Sequence, residues 1–557
     1  MAVSLDNAID LSLMDDIFEE LGGREESLIP VLEKAQALYG ALSLPVYQHI
    51  AKKLKMPVNK VYSTATFYAL FATAPEEKHV IRVCRDGACA LHGADAVYEA
   101  GREALGDQVA SYSCLGHCHA GPAALVDDFI VTHLAPESWS GEWPPAVDLS
   151  PVPMLTPEPE RRLLARIGRI NPESLDDARA AGAYAGLERA LCDFSPQQVI
   201  DEVIASGLQG RGGAGFPTGR KWAFTAAAEG EPKYIICNAD ESEPGTFKDR
   251  ALMEGDPHRV IEGIILAGYA VGAGHGVIYI RGEYAVAHHR LERALEQARA
   301  AHLLGENILG SDFSFDIELH RGHGAYICGE ETALIESLEG KPGKPRIRPP
   351  YPPTYGLWGK PTVVNNVETL ANVPDILTLG AEGYRQAETK LYCISGHVTT
   401  PGLIEAPLGL TLGRAIEIAG GVKDGGAFNF ALTGGAAGTF VGPEALDTPL
   451  TFSSAREAGV SLGSGALLVA DDSARLIDMM QNVMAFFSRE SCGHCFPCRH
   501  GTLRSAETLE RLARDQGEAG DLDYLSDLAQ NLAVASFCGL GQGAAIPLRS
   551  GLALLRE

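Results

Sequence analysis

Eight of the chain's twelve cysteines fall into two groups whose spacing suits metal–sulfur chemistry. Cys492, Cys495 and Cys498 form C-x2-C-x2-C, and Cys538 follows after 39 intervening residues within FCGLGQG. Cys84 and Cys89 form C-x4-C, and Cys114 and Cys118 form C-x3-C after 24 more. Each group supplies four thiolates, the number that holds one iron–sulfur cluster. Zinc also accepts four thiolates. Three cysteines at two-residue gaps suit the corners of a cubane better than paired zinc knuckles. For the N-terminal four, spacing alone leaves a [2Fe–2S] cluster, zinc and free thiols open. Cys192, Cys237, Cys328 and Cys393 have no partner spacing and read as small core residues.

A second locus is GLQGRGGAGFPTGRKW, Gly207 to Trp222. Its glycines at 210, 212, 213, 215 and 219 let backbone approach a phosphate, and Arg211, Arg220 and Lys221 add positive charge. It is neither a Walker A loop, lacking Gly-Lys-Ser/Thr, nor a clean dinucleotide fingerprint. The alternative is a flexible surface loop. Next comes ICNADESEPGTFKDR, where Asp240, Glu241, Glu243 and Asp249 crowd beside Asn238 straight after an apolar strand. The ends of strands are where α/β folds commonly meet ligands; a solvated acidic turn is the bland reading. GAYICGEETALIESLEG reads as strand, Gly329, then Glu330 and Glu331 at a helix start, where acids also simply complement the helix dipole. GKPTVVNNVETLA adds Asn365, Asn366 and Thr369, polar groups able to grip a ring edge.

The elements that must position these groups span a chain of 557 residues, long enough for three to five domains at roughly 150 residues each. With 46% apolar and 21% charged residues it is globular. Lys+Arg 46 against Asp+Glu 72 gives −26, which argues against nucleic acid and against an acidic membrane surface. The most apolar stretch, 260–280, is broken by Glu262 and His275 and reads as a buried helix then a strand. The acidic N-terminus resembles no export signal, so the expected location is cytoplasmic, with thiols reduced.

The fold class expected is multidomain α/β. A helical region, 1–76, carries apolar residues at helical spacing from Leu28 to Tyr39, then helices over 46–54 and 61–71, the last ending in TFYALF. Residues 77–143 hold the four N-terminal cysteines between a strand, VIRVC, and a hairpin, ALVDDFIV. Six prolines between 144 and 159 mark an extended linker, 144–160. Residues 161–385 alternate strands and helices in a parallel pattern, 386–470 are strand-rich, and 471–557 are helical, with Leu476, Met480, Val483, Met484 and Phe487 on one face.

Together these segments resemble the NADH-binding flavoprotein subunit of respiratory complex I and its soluble diaphorase relatives, from about Leu163 to Glu557. Residues 20–135, with LIPVLEKAQALYG, VYSTATFYALF and CLGHCHAGPA, resemble the family's small thioredoxin-like [2Fe–2S] subunit, here fused. The resemblance implies a thioredoxin-like domain, a Rossmann-like FMN domain, a ubiquitin-like β-grasp domain and a helical [4Fe–4S] domain. It implies FMN, NAD(H), one [4Fe–4S] and one [2Fe–2S] cluster, on the two cysteine groups. Gly210, Arg211, Gly212, Gly213, Gly215 and Lys221 would cradle the FMN phosphate. Asn238, Asp240, Asn365, Asn366 and Thr369 would hold its ribityl chain and ring, with Glu241, Gly329 and Glu330 around them. Phe216 and Phe224 would stack on the nucleotide, and Glu243 and Glu331 would meet its polar groups beside Tyr326. Glu243 is the residue assigned to the catalytic site, its charge beside the nicotinamide. Where the family has lysine and phenylalanine, this chain has Arg348 and Tyr351, which keep charge and ring. The interval between Cys89 and Cys114 is shorter than in the separate small subunit.

Such a diaphorase needs an electron source or sink that this sequence does not contain. The fused arrangement resembles the β subunit of NAD-dependent molybdenum or tungsten formate dehydrogenases, implying a large pterin-containing α subunit as partner. The alternatives are the diaphorase of an NAD-reducing hydrogenase, the complex I subunit, and a non-enzymatic redox-sensing or assembly protein.

Overall fold

The computed structural model describes residues 9–73, 80–140, 151–453 and 457–556. The first eight residues, the boundary at 76–77, Pro144 and Pro145 lie outside them. Among the described residues no helix is long and apolar enough to cross a membrane.

The N-terminal region packs a short helix, Asp15–Leu21, and three longer ones, α1 (Leu28–Tyr39), α2 (Leu44–Lys53) and α3 (Val58–Ala65). Leu28, Val31, Leu32 and Ala35, the periodic apolar set, are fully buried. The third helix starts and stops earlier than its apolar run suggests, ending at Ala65. TFYALF is instead irregular, because its backbone is claimed from outside: Ala69 and Leu70 donate N–H to Gly324 and His323 carbonyls at 3.1 Å. Tyr68 is buried, its hydroxyl donating to the Lys341 carbonyl at 2.7 Å. Tertiary partners override a short periodic signal there.

Next comes a four-stranded sheet in the order β2-β1-β3-β4. It comprises β1 (Ile81–Cys84), β2 (Val109–Tyr112) and the expected hairpin β3 (Ala124–Val126) and β4 (Phe129–Val131). β1 runs parallel to β2 and antiparallel to β3. The helix α4 (Ala94–Leu105) crosses between β1 and β2.

The described part of the proline-rich stretch is not a free linker. Residues 151–156 run beside a later strand: Leu155 N–H donates to Leu403 at 2.9 Å, Leu403 N–H to Pro153 at 2.8 Å. Val152 is 3% exposed. An extended segment without its own partners has completed a sheet edge.

The central unit has a parallel sheet, order β7-β6-β5-β8. Its strands are β5 (Tyr234–Ala239), β6 (His275–Ile280), β7 (Asp316–Arg321) and β8 (Thr362–Asn366). Around them lie α5 (Pro196–Ser206), α6 (Thr218–Ala227), α7 (Lys248–Gly255), α8 (Pro257–Val271), α9 (Ala285–Ala300), α10 (Glu331–Leu338) and α11 (Val367–Gln386). The expected buried helix and strand at 260–280 are α8 and β6. Asp256 caps α8, Pro257 opens it and Gly272 at φ 75° closes it, the three residues that favour those positions. GAYIC, read as a strand, is a short 3-10 turn, Tyr326–Gly329. All four parallel strands point their C-terminal ends toward the loops that carry the candidate polar residues.

The following sheet, order β10-β9-β13-β11-β12, contains β9 (Thr389–Gly396), β10 (Gly402–Pro407), β11 (Phe428–Thr433), β12 (Thr439–Val441) and β13 (Ala466–Asp471). Four helices end the chain: α12 (Leu476–Glu490), α13 (Phe496–Ala513), α14 (Asp521–Ala535) and α15 (Gly539–Leu554). Met480, Val483, Met484 and Phe487 are buried on α12 as their spacing requires, while Leu476 is only partly covered.

Candidate functional site

A cavity of about 490 Å³ opens where the β5, β7 and β8 loops meet the glycine loop, the loops of the five-stranded β9–β13 sheet and the start of α15. Gly212, Gly213, Asn238, Asp240, Glu241, Glu243, Tyr326, Gly329, Glu330 and Asn366 line it. So do residues the sequence did not announce: Lys248, Ser464, Gly434, Gly539 and Leu540.

The glycine loop is closed on itself, Gly210 N–H donating to the Phe216 carbonyl at 2.9 Å. Gly215 has φ 66°, and a Cβ there would meet the Phe452 ring at 2.8 Å. Gly212 lies so near Asn366 that a Cβ would be 3.1 Å away. Gly212, Gly213 and Ala214 therefore bring main chain and nothing larger than a methyl group to the cavity wall.

Two basic residues assigned to the phosphate go elsewhere. Arg211 is fully buried, its guanidinium paired with Glu388 and lying over Phe452, outside the cavity lining. Lys221 donates to the Val364 carbonyl at 3.0 Å and pairs with Glu331 at 3.2 Å. Arg348 reaches the same Glu331 at 3.3 Å, so Lys221, Glu331 and Arg348 form one ion cluster. Phe216, Phe224 and Tyr351 stand 46%, 58% and 55% exposed, apolar faces open to a stacking ligand.

Two polar candidates also turn away. Thr369 is buried and accepts the Arg211 N–H at 2.8 Å, and Asn365 accepts the Trp222 indole N–H at 2.8 Å. Both shape the loop from behind. Glu241 is spent as a cap: its oxygens accept Asp249 and Arg250 N–H at 2.8 and 2.9 Å, at the start of α7. Burial, with Asp249 beside it, pushes its carboxyl up to about 8. Glu330 caps α10 through Thr332 and Ala333 N–H, as the dipole reading foresaw.

The remaining groups face the cavity with chemistry to spare. Asn238 donates to the Gly329 carbonyl at 2.8 Å and accepts Asp240 N–H at 3.1 Å, joining the β5 and β7 loops. The Asp240 Oδ2 oxygen is sealed from solvent and has no hydrogen-bond partner among the described residues. Burial pushes that carboxyl up to about 8. Glu243 accepts the Tyr326 hydroxyl at 2.5 Å and the Ala437 N–H at 2.9 Å, and burial raises its pKa. Lys248 is buried with Asp249 at 2.8 Å and Glu368 at 3.0 Å; these acids keep it charged against the cost of burial. It is the one cation among the cavity's described lining residues. Its motif, TFKDR, carried no spacing signal.

Cys492, Cys495, Cys498 and Cys538 line one pocket with Pro345, Ile327 and Leu540. Ile327 and Leu540 also line the large cavity, so a shared wall separates the two. Cys495 and Cys538 are the N-cap residues of α13 and α15, whose positive dipole ends suit an anionic cluster. Cys84, Cys89, Cys114 and Cys118 are at most 2% exposed, with the Cys114 and Cys118 sulfurs 3.4 Å apart. A Cβ on Gly121 would fall 2.9 Å from the Cys89 sulfur, so bare backbone closes that cradle. Both groups fit a cluster. Cys237, Cys328 and Cys393 are core residues as expected, whereas Cys192 is exposed.

A cavity at strand ends lined by both apolar and polar groups, with a four-cysteine pocket behind its wall and a second cysteine nest in the chain, defines a flavin and iron–sulfur oxidoreductase. Family models agree along the chain. A thioredoxin-like [2Fe–2S] ferredoxin model matches residues 14–141, and the Nuo51 FMN-binding domain 203–375. An SLBB domain matches 391–437, and the NADH-ubiquinone oxidoreductase-F iron–sulfur binding region 478–557. The second NADH-quinone oxidoreductase F subunit of Rhizobium meliloti is 46% identical over 397 residues, covering 70% of this chain and 94% of that one. The HndC subunit of the NADP-reducing hydrogenase of Solidesulfovibrio fructosivorans is 45% identical over 390 residues, 69% of this chain and 79% of its own. A solved NAD+-reducing [NiFe]-hydrogenase in the air-oxidised state superposes with TM-score 0.83 at 32% identity, over 97% of this chain and 94% of that one.

The chain belongs to the family of the NADH-quinone oxidoreductase F subunit. Its cofactors are FMN, NAD(H), one [2Fe–2S] and one [4Fe–4S] cluster.

Proposed function

We propose that this chain is the diaphorase subunit of a cytoplasmic complex in which a separate pterin-containing α subunit, with molybdenum or tungsten, oxidises formate and NAD+ is reduced here. The observation that carries the diaphorase part is the wall that Ile327 and Leu540 share between cavity and cysteine pocket. When bound, flavin exchanges a hydride with NAD and single electrons with clusters. The residues then divide the work. The Gly210–Gly215 backbone, Asn238, Asp240, Asn366 and Lys248 hold the flavin. Phe216, Phe224 and Tyr351 stack the nucleotide over it, and the Lys221–Glu331–Arg348 cluster receives the nucleotide's charged end. Glu243 holds a carboxylate near the nicotinamide. Cys492, Cys495, Cys498 and Cys538 bind [4Fe–4S]; Cys84, Cys89, Cys114 and Cys118 bind [2Fe–2S].

The second reading is an NAD-reducing hydrogenase, favoured by the end-to-end likeness to the hydrogenase chain. The fused N-terminal unit is common to both readings. Purifying the native complex and measuring its metals and substrates separates them. Molybdenum or tungsten with formate-dependent NAD+ reduction supports formate dehydrogenase. Nickel with hydrogen-dependent reduction overturns it. Failure of the isolated chain to bind flavin or pass electrons from NADH to a dye would sink the diaphorase reading itself.

A further inference from the structure

We infer that Arg281 is the positioning residue that fixes the Cys114 loop against the flavin cavity, and that its buried charge raises the reduction potential of the N-terminal cluster. The inference rests on the reading that Cys84, Cys89, Cys114 and Cys118 hold that cluster.

Arg281 follows β6 directly and is 3% exposed. Its Nη2 donates to the Cys114 carbonyl at 2.7 Å and its Nη1 to the Glu241 carbonyl at 2.7 Å. One fork thus joins a residue of the cysteine nest to a residue lining the cavity. Glu283 steadies the fork, accepting Nη2 at 3.0 Å and Nε at 3.1 Å. Glu283 also accepts the Tyr112 hydroxyl at 3.0 Å, from the end of β2, just before Cys114. A second buried guanidinium, Arg250, donates to the Gly116 carbonyl at 3.2 Å. The loop from Cys114 to Cys118 therefore rests on two arginines in a chain of net charge −26.

Only a planar fork makes these contacts at once; lysine offers a point charge. A fixed positive charge beside a cluster favours its reduced form, since reduction adds a negative charge. Glu283 offsets part of that charge, which makes opposite-signed changes available. The Glu241 loop has other anchors in Asp249, Arg250 and Tyr284, so flavin should survive loss of Arg281.

The test is an EPR-monitored redox titration of the purified, cofactor-loaded chain and its variants. Arg281→Gln should shift the [2Fe–2S] potential downward, Glu283→Gln should shift it upward, and Arg281→Lys should stay nearer the parent than Arg281→Gln. The [4Fe–4S] potential and the flavin content should hold in all three. If Arg281→Gln assembles no [2Fe–2S] cluster, the upward shift in Glu283→Gln decides. A [2Fe–2S] potential unmoved in Glu283→Gln, or moved alike by both glutamine variants, overturns the inference; so does an equal shift in both clusters. Cys114→Ala run alongside tests the underlying reading, because a [2Fe–2S] signal surviving that change refutes the ligand assignment whatever Arg281 does.

Discussion

Asp240 is a cavity residue whose carboxyl is open to pH. Its sealed Oδ2 has no hydrogen-bond partner among the described residues, and burial lifts the carboxyl to about 8. A carboxyl raised in the folded state gives stability fully present below its unfolded pKa, near 3.9, and lost as pH rises through about 8. Asp240→Asn carries no such titration. In flavin-free protein its melting temperature should gain on the parent's from pH 4 to pH 8 and level off above. The gain should grow by at most about 1.4 kcal/mol for each pH unit between those two values, several kcal/mol in all. Added FMN should shrink the difference, and a constant offset across that range would refute the assignment. Glu243 differs, because both oxygens are used. Glu243→Gln should keep its acceptor for Ala437 N–H while shedding a charge near the dianionic nucleotide. NADH should then bind more tightly by about 1 kcal/mol, roughly fivefold, for like charges several ångströms apart at an effective dielectric near 20. Unchanged affinity in a titration would remove Glu243 from the nucleotide site. At this scale the sequence was legible where a residue type implies its own direction, as for cysteine and glycine. It misled where direction is set by a distant partner: Glu388 draws Arg211 away, and Trp222 occupies Asn365.

Among elements, the crossing of α8 and α11 bears directly on the site. A Cβ on Gly263 would sit 2.1 Å from the Leu370 carbonyl, so the two helices touch backbone to backbone. Asn366 caps α11 and lines the cavity, and its amide donates to Asp249 at 2.6 Å. Pushing α11 outward thus moves a cavity wall. Gly263→Ala should destabilise the chain by about 1–3 kcal/mol, the range for overpacking a tight core. It should also weaken FMN retention, although residue 263 lies outside the cavity lining. Thermal melts with and without added FMN would check both effects; wild-type stability would mean the helices separate freely. The long helices and parallel strands were legible because burial imposes a regular period on many residues. TFYALF and GAYIC were not, since six or fewer apolar residues fit a helix, a strand or a turn equally well.

At the scale of the whole molecule, folding brings distant segments to one redox centre. The C-terminal helices contribute Gly539 and Leu540 to a cavity whose floor is built from β5. Asn482 on α12 accepts the Gly87 N–H at 3.0 Å and donates to the Arg85 carbonyl at 2.7 Å, holding the N-terminal cysteine domain to the C-terminal helices. No motif spacing foretells such a seam, because its partners lie hundreds of positions apart. The arrangement separates functions that can be lost singly. Cys495 heads α13 and lines the cluster pocket, yet it is absent from the flavin cavity's lining. Cys495→Ala removes one of four thiolates and leaves a cubane iron without its protein ligand. Its [4Fe–4S] EPR signal should vanish, and electron exchange with the partner subunit should fall at least tenfold, about 1.4 kcal/mol or more on the barrier. The [2Fe–2S] signal should persist, because its four cysteines belong to the N-terminal domain and none of them lines the Cys495 pocket. NADH should still reduce a dye that takes electrons from the flavin at close to the parent rate, since the stacking faces and the glycine loop are untouched. Dye reduction and partner-coupled turnover falling together, in protein that keeps its flavin, would show that the C-terminal cluster is structural support for the cavity and not a separate station for electrons.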